Sequence, residues 1–391
     1  GRGRLRPLAL VLLAVFGGCS VSTSPAAGAR HAPASAAPLA RSGGPAPGSL
    51  SPQPPAPSPS PSPGAELPVL SAPHLAPGSN PAVLPAPILI ADRNNGRLLI
   101  VDPQGRVRWE FPRPQDLAGH QPFAVPDDAF FAPGGTQILA TQEDMFEITL
   151  LGFPSHKVLY QYGTPWVHGS GPGYLWNPDD ARVISSGLIL SPDIRNCRII
   201  LLPIGARAPA RVFGGHGCVH APPSSWGSPN GSFPLSDGNQ LVTEINGDWV
   251  DELDVATDRV AFSTHPPGVL YPSDTNEVRP GVYLVADYSY PGQLVMFDRR
   301  GGLLWRYRPT GAQTLDHPSL ALPLPGGYVL CNDDRNDRVI VVDPRTDRIV
   351  WQYGVTGVAG AAPGYLANPD GVDVMPPFSL AARFAPSVSA G

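Results

Sequence analysis

The chain has 391 residues, of which 27 are Lys or Arg and 32 are Asp or Glu, and its formal net charge is −5. Nucleic-acid-binding proteins carry a basic stripe or patch, and none is visible in this sequence, which predicts a protein without nucleic-acid partners. Its 4 cysteines are too few for a disulfide-held scaffold.

Residues 1–19 have the layout of an export signal. Arg2, Arg4 and Arg6 precede an apolar run over 8–16, which is followed by small residues and Cys19. Such a run is too short to span a bilayer. The ending "FGGC" resembles the lipobox of bacterial lipoproteins, which implies lipidation of Cys19 and a cell-surface protein that meets the membrane only through this anchor. An ordinary secreted protein is the alternative.

Residues 20–86 are dominated by Pro, Ala, Ser and Gly and contain no aromatic side chain. A segment of this composition buries too little apolar surface to offset the entropy lost on ordering, so it predicts a disordered tether. The rest of the chain then divides into a folded domain over 87–377 and a C-terminal tail over 378–391. A tether of this kind suits a domain that is held away from a membrane.

Short apolar strands broken by Gly, Pro, Asn and Asp fill the chain from residue 87 onward, which indicates β-structure. Aromatic residues that end these strand groups lie 51, 51, 49, 45 and 46 residues apart. They are Phe111, Tyr162, Phe213, Phe262, Tyr307 and Tyr353. This period is the length of a four-stranded propeller blade. The stretch "QYGTPWVHGSGPGYLWNPDD" at 161–180 returns at 352–371 as "QYGVTGVAGAAPGYLANPDG", an offset of four such blades.

The repeat predicts an all-β fold, a monomeric six-bladed β-propeller of four-stranded blades. The first blade begins with three strands, "ILIADRNNGRLLIVDPQGRVRWEF", and the chain finishes on a single inner strand, "NPDGVDV". We expect this C-terminal strand to dock into the N-terminal blade, because the docking pairs edges that would otherwise stay open.

A turn pattern Asp-x-x-Asn-x-Arg occurs three times. Its members are Asp92, Asn95 and Arg97; Asp193, Asn196 and Arg198; and Asp333, Asn336 and Arg338. With the strands "LLIVDP", "IILLP" and "VIVVDP" that follow, the pattern resembles the NHL repeat family within the broader group of NHL and quinoprotein-like propellers. From the residues themselves we expect a structural role, since Asp and Asn bond to the backbone of tight turns and Arg can pair with the Asp.

Histidines in the loops between blades and carboxylates at the inner-strand openings could surround the mouth of the central channel. Imidazole nitrogen and carboxylate oxygen are the ligands that a divalent metal binds. The candidate ligands are His120, His168, His220, His265, His317, Asp179, Asp274 and Asp370. Hydrogen bonding to a neighbouring blade, or exposure to solvent, is the alternative for these histidines.

Cys197 and Cys218 are expected on one face of the third blade, where an oxidising, exported setting would allow a disulfide. The sequence contains no Gly-x-Ser-x-Gly, phosphate loop or dinucleotide fingerprint. We therefore expect a binding module that takes a protein, glycan or small ligand on its loop-rich face. The alternative is a metal-dependent lyase or hydrolase, as the NHL resemblance allows, with a His/Asp site at the channel mouth.

Overall fold

In a computed structural model, the residues that can be described are 66–185 and 187–383. They form 24 β-strands in six antiparallel sheets of four strands each, with seven 3₁₀-helices of one turn and one short α-helix near the C-terminus. This confirms the predicted six-bladed propeller. The predicted export signal, Cys19 and most of the predicted tether lie outside the described residues. Within them, no helix has the length and hydrophobicity needed to cross a membrane.

The strands follow one another along the chain with no long helix between them. Their bounds are β1 Ile88–Asp92, β2 Arg97–Val101, β3 Val107–Phe111, β4 Ala129–Phe131, β5 Gln137–Gln142, β6 Glu147–Gly152, β7 Val158–Gly163, β8 Arg182–Ser185, β9 Leu188–Asp193, β10 Arg198–Pro203, β11 Arg211–Gly214, β12 Pro229–Pro234, β13 Gln240–Glu244, β14 Trp249–Asp254, β15 Arg259–Thr264, β16 Pro272–Arg279, β17 Val282–Asp287, β18 Gln293–Asp298, β19 Leu303–Tyr307, β20 Ala321–Pro323, β21 Val329–Asp333, β22 Arg338–Asp343, β23 Arg348–Tyr353 and β24 Pro369–Val374. The helix α1 spans Leu380–Arg383.

Blade one is completed by the last strand of the chain. Its order is β24-β1-β2-β3, and β24 pairs antiparallel with β1, with Ile88 opposite Val374 and Ile90 opposite Val372. Blades two to six each use four consecutive strands, from β4–β7 to β20–β23. The C-terminal strand thus closes the ring as predicted, and it removes the open edge of β1.

The stretch from 66 to 86, which composition assigns to the tether, packs on the propeller. Backbone N–H groups of Leu70 and His74 donate to β3 and its preceding turn, and those of Ala76 and Asn80 donate to β23. The segment therefore crosses from the outer strand of blade one to that of blade six. Its apolar residues Val83 and Leu84 join the core between these blades, which gives this proline-rich stretch the burial that composition alone does not predict.

Burial falls from the inner to the outer strand of a blade. All six residues of β17 are buried, whereas the outer strand β19 of the same blade is largely exposed. Trp351 is fully buried, and its indole N–H donates to the Pro103 carbonyl of blade one. Trp351 therefore packs blade six against blade one.

Every blade also fastens the loop that enters it by the same hydrogen bond, which we call the clasp. A proline stands at the opening of each inner strand, and these opening prolines are Pro126, Pro178, Pro229, Pro272, Pro318 and Pro369. The backbone N–H two residues before the opening proline donates to a side-chain oxygen at the end of the second strand. The six acceptors are Asp92, Gln142, Asp193, Glu244, Asp287 and Asp333.

The Asp-x-x-Asn-x-Arg pattern is the complete form of this clasp. In blade six, Asp333 accepts from Asn336 Nδ2 at 2.8 Å and Arg338 Nε at 2.8 Å, and its other oxygen accepts from the Asp316 N–H at 2.7 Å. Blades one and three repeat these distances to within 0.1 Å. This confirms the expected structural role, and it shows that blades two, four and five keep the acceptor although they lack the pattern.

Candidate functional site: the acidic channel and the loop-rich face

The inner strands bring six aspartates into the central channel. The two residues after each opening proline lie at matching positions in all blades, and carboxylates occupy six of these twelve positions. We call them the channel carboxylates: Asp127, Asp128, Asp179, Asp180, Asp274 and Asp370. All six are buried. The predicted candidates Asp179, Asp274 and Asp370 therefore belong to one cluster.

Several inner strands begin with a β-bulge, in which two consecutive residues lie opposite one residue of the second strand. In blade two, Thr141 lies opposite both Asp127 and Asp128: its carbonyl accepts from the Asp127 N–H and its own N–H donates to the Asp128 carbonyl. The same register shift occurs in blades four and five, after Pro229 and Pro272. Because a bulge sets two residues against one, both side chains can approach the channel.

Two arginines offset part of this negative charge. Arg93 forms ion pairs with Asp127, with Asp370 at 3.0 Å, and with Glu143 and Asp144 at 3.3 and 2.6 Å. Burial opposes the charged form of Arg93, but the attraction of Asp370 and the two neighbouring acids raises its pKa. One guanidinium thus faces four carboxylates at the mouth of the channel.

The second arginine, Arg182, lies between two aromatic rings beside the carboxylates. Its guanidinium carbon lies 3.5 Å from the centre of the Phe130 ring and 3.6 Å from that of Phe233. It donates to Asp180 at 3.3 Å and to the Ser232 carbonyl at 3.1 Å. On its far side it lines an apolar cavity of about 350 Å³ beside α1. The channel carboxylates are therefore separated from this cavity by a cation held between two aromatic rings.

Burial raises the pKa values of four of the channel carboxyls, because the charged form loses its hydration. The pKa of Asp128 rises to about 6, and the pKa values of Asp179, Asp180 and Asp274 lie well above the ordinary range. Repulsion between neighbours adds to the effect for Asp179 and Asp180. These groups are stable only with bound protons or with a cation among them.

Four carboxylate oxygens in the cluster have no hydrogen-bond donor within the described chain: Asp127 Oδ1, Asp128 Oδ1, Asp180 Oδ2 and Asp274 Oδ1. The first of them is ion-paired with Arg93, and the other three are not. Glycines make room for them. A Cβ on Gly231 would lie 2.5 Å from Asp274 Oδ1 and 3.0 Å from Asp180 Oδ2, and one on Gly371 would lie 2.5 Å from Asp128 Oδ1. Asp128, Asp180 and Asp274 have ligand oxygens within 4.8 Å of one another, as do Asp127, Asp128 and Asp179. Either trio could hold a hard divalent cation.

The candidate histidines are not assembled around these carboxylates. His168 stacks on Trp176, with ring centres 4.3 Å apart, and His265 packs on Trp249 at 3.7 Å. Within the described chain, no hydrogen bond or ion pair joins any of the five histidines to a channel carboxylate.

The other three histidines have local partners. His317 Nδ1 lies 2.6 Å from the carboxylate of its neighbour Asp316, and His120 lines a shallow pocket beside Asp116. His220 Nδ1 lies 2.9 Å from Glu244 Oε1, in blade four. Of the candidate histidines, it is the one that contacts two buried carboxylates, Glu244 and Asp251.

The structure joins Cys197 and Cys218 in a disulfide, with Cα atoms 5.2 Å apart. The bond ties the loop after blade three to the turn between β9 and β10. Cys331 is buried in β21 and forms no disulfide within the described chain, and burial raises the pKa of its thiol. Cys19, the predicted lipidation site, lies outside the described residues.

Sequence reasoning did not select Arg93, Arg182, Glu143, Glu244 or Asp251. Arg182 could have been noticed in the sequence, because it follows two residues after "DD" in "NPDDAR". At the matching position the other five inner strands carry an apolar residue, Asn or Asp, and none carries a basic residue. Glu244 stands where four other blades carry the clasp aspartate, and no local sequence pattern marks its role.

Comparison with known proteins supports the fold and identifies no family. No protein-family model matches the chain, and neither does any curated protein. A chain in the crystal structure of a nidogen/laminin complex is similar over 74% of this chain and 98% of that one, with 14% identity and a TM-score of 0.52. A protein of unknown function from Bacteroides caccae covers 73% of this chain and 98% of its own, with 13% identity and a TM-score of 0.49. The chain is a six-bladed β-propeller, and its resemblance to NHL repeats stays a prediction.

Proposed function

We propose that the protein is a binding module that takes a protein partner on its loop-rich face. This face consists of the turns between second and third strands and of the crossover loops 112–128, 164–181, 215–228, 265–271, 308–320 and 354–368. One observation carries the proposal. Of the 16 exposed large apolar side chains in the described chain, 9 lie in these loops and turns. They are Trp166, Val167, Tyr174, Val219, Leu270, Tyr290, Val355, Val358 and Tyr365.

The charge of the same face favours a partner with basic groups. Carboxylates outnumber arginines at the channel mouth, where Asp144 exposes 55% of its side chain beside Arg93. Tyr271 and Tyr288 lie next to this mouth with ring centres 5.4 Å apart. Exposed apolar patches rimmed by polar groups are typical of interaction surfaces. A partner with apolar side chains around a basic centre fits this arrangement, and its binding should weaken as salt screens the charges.

Site-specific photo-crosslinking tests this proposal. A photoreactive residue at Leu270 or Val219 should give one discrete product with proteins of the extracytoplasmic fraction. The matched controls are Leu304 and Val212, which are similarly exposed on outer strands. Excess unlabelled protein should abolish the product, whereas a Leu270→Asp variant should fail to compete. Equal crosslinking from both pairs of positions, or competition by the variant, would contradict the proposal.

A second candidate, a metal-dependent lyase or hydrolase, is favoured by the unpartnered oxygens of Asp128, Asp180 and Asp274. A divalent cation bound there would act as a Lewis acid or activate water. For this candidate, the full chain should contain a stoichiometric divalent cation that Asp180→Asn removes. Metal-free protein whose melting temperature is indifferent to a chelator would exclude it.

Export and lipidation at Cys19 belong to the same proposal and rest on the sequence alone. Labelling with a radioactive fatty acid should mark the wild type and leave Cys19→Ser unlabelled. Equal labelling of both proteins would place the anchor elsewhere, and absence of label in both would favour a secreted protein.

A further inference from the structure

Blade four carries a clasp unlike the other five. In blades one, three and six the clasp carboxylate is paired with an arginine, and in blade five Asp287 accepts from Gln293. In blade two the acceptor is the neutral Gln142. In blade four, Trp249 occupies the arginine position, and Glu244 instead faces a second buried carboxylate, Asp251, and His220.

The three side chains converge on one point. His220 Nδ1 lies 2.9 Å from Glu244 Oε1 and 3.8 Å from Asp251 Oδ2, and one ligand atom from each residue lies within 4.8 Å of the others. Glu244 and Asp251 are fully buried, whereas His220 exposes 21% of its side chain to solvent. Solvent therefore reaches the cluster from the side of the histidine and not from the side of the two carboxylates.

Protein donors already hold one oxygen of each carboxylate. Glu244 Oε2 accepts from the Gly227 N–H, and Asp251 Oδ1 accepts from Ser263 Oγ. The opposite oxygens face His220, and Asp251 Oδ2 has no donor within the described chain. Outer partners of this kind orient metal ligands and leave one oxygen of each carboxylate free to coordinate.

Two further contacts fix the position of the histidine. The ring of His220 stacks on Trp249, with ring centres 4.0 Å apart and planes inclined by 8°. Two residues earlier in the same loop, Cys218 is held by its disulfide to Cys197. The imidazole is therefore restrained before any ligand binds.

We infer that His220, Glu244 and Asp251 form a binding site for a zinc-class divalent cation on the rim of the loop-rich face. Bonds of about 2.0–2.1 Å in a tetrahedral site separate neighbouring ligand atoms by about 3.3 Å, and the observed 2.9 and 3.8 Å bracket this value. A mixed set of imidazole and carboxylates suits zinc, whereas calcium takes oxygen ligands alone. Three protein ligands leave a coordination position at the solvent side for water or an anionic group of a ligand.

Metal titration of the full chain tests the inference. The protein is stripped with a chelator, and Zn²⁺ is added in competition with a chelating dye; Co²⁺ serves as a spectroscopic probe through its visible d–d absorption. We expect one bound Zn²⁺ per chain and a higher melting temperature in its presence, because a ligand that binds only the folded state stabilises it.

Asp251→Asn and His220→Gln should each weaken Zn²⁺ binding by about 100-fold or more and remove the Co²⁺ absorption. The matched control is His265→Gln, which changes the histidine on the same Trp249 and should bind Zn²⁺ as the wild type does. Each variant's melting temperature without metal reports that it is folded.

The inference is overturned if the wild type binds no Zn²⁺, which would mean that the three groups share a proton instead. It is also overturned if Asp251→Asn binds Zn²⁺ as the wild type does while Asp180→Asn does not, since the metal would then lie in the channel. Neither result bears on the crosslinking test of the loop-rich face, so the two proposals fail independently.

Discussion

Glu147 is expected to make the propeller less stable as pH rises. This residue begins β6 in blade two, at the position that arginine holds in blades one, three and six, and it is fully buried. Its Oε1 accepts from Gln161 Nε2 at 2.7 Å and Thr149 Oγ1 at 3.2 Å, while its Oε2 has no donor within the described chain. Burial raises the pKa of Glu147 to about 7, above its value of 4.5 in an unfolded chain.

The direction and size of the effect follow from proton linkage. Between pH 4.5 and 7 the unfolded chain releases a proton that the folded protein retains, so the free energy of unfolding falls as pH rises. The difference between these two pKa values corresponds to about 3 kcal/mol, most of which is lost between pH 5 and pH 8.5. Glu147→Gln removes this titration with little change of shape.

Urea unfolding of the wild type and of Glu147→Gln at pH 5 and pH 8.5 measures the effect. The stability of the variant relative to the wild type should rise by about 2–3 kcal/mol between the two pH values, and other titrating groups cancel in this difference. The control is Glu110→Gln, which changes a carboxylate whose side chain is 42% exposed beside Arg97 and should alter stability by less than about 1 kcal/mol. An equal difference between Glu147→Gln and the wild type at both pH values would refute the reasoning.

Three further substitutions test the fold around the site. Asp333→Ala should lower the free energy of unfolding by about 3–5 kcal/mol in urea, because it leaves Arg338 buried without its carboxylate; a loss below about 1 kcal/mol would show that the clasp is dispensable. Replacing Cys197 and Cys218 by Ser should cost about 3 kcal/mol, and a reductant should destabilise the wild type but not this variant. Gly231→Ala should lower the free energy of unfolding by about 1–3 kcal/mol in the same assay, since its Cβ would lie 2.5 Å from Asp274 Oδ1. Unchanged stability would mean that β12 and β16 move apart freely to admit the methyl group.

The repeat carried most of the fold information. Aromatic blade endings recur at the length of a blade, and hydrophobic strands between turn residues can bury both faces only by stacking on neighbours. The missing inner strand at the start and the extra strand at the end implied the closure of β24 on β1. Local chemistry likewise predicted the Asp–Arg pairs of the clasp, because their members are only five residues apart.

The boundary of the folded part was less predictable. Composition places residues 66–86 in a tether, yet this segment makes backbone hydrogen bonds to the outer strands of blades one and six. Those two outer strands become neighbours only when the ring closes, so no local sequence pattern predicts these hydrogen bonds.

The candidate site shows the same division. The sequence by itself determined that carboxylates open several inner strands and that histidines lie in the crossover loops. Only the tertiary structure decided that Asp128, Asp180 and Asp274 meet in the channel around Gly231, that Arg182 lies beside them on Phe130, and that the histidines have other partners. It also decided that His220, Glu244 and Asp251 share one point. The physical reason is that these contacts join different strands, loops and blades, whose relative position depends on the closure of the whole ring and on no single segment.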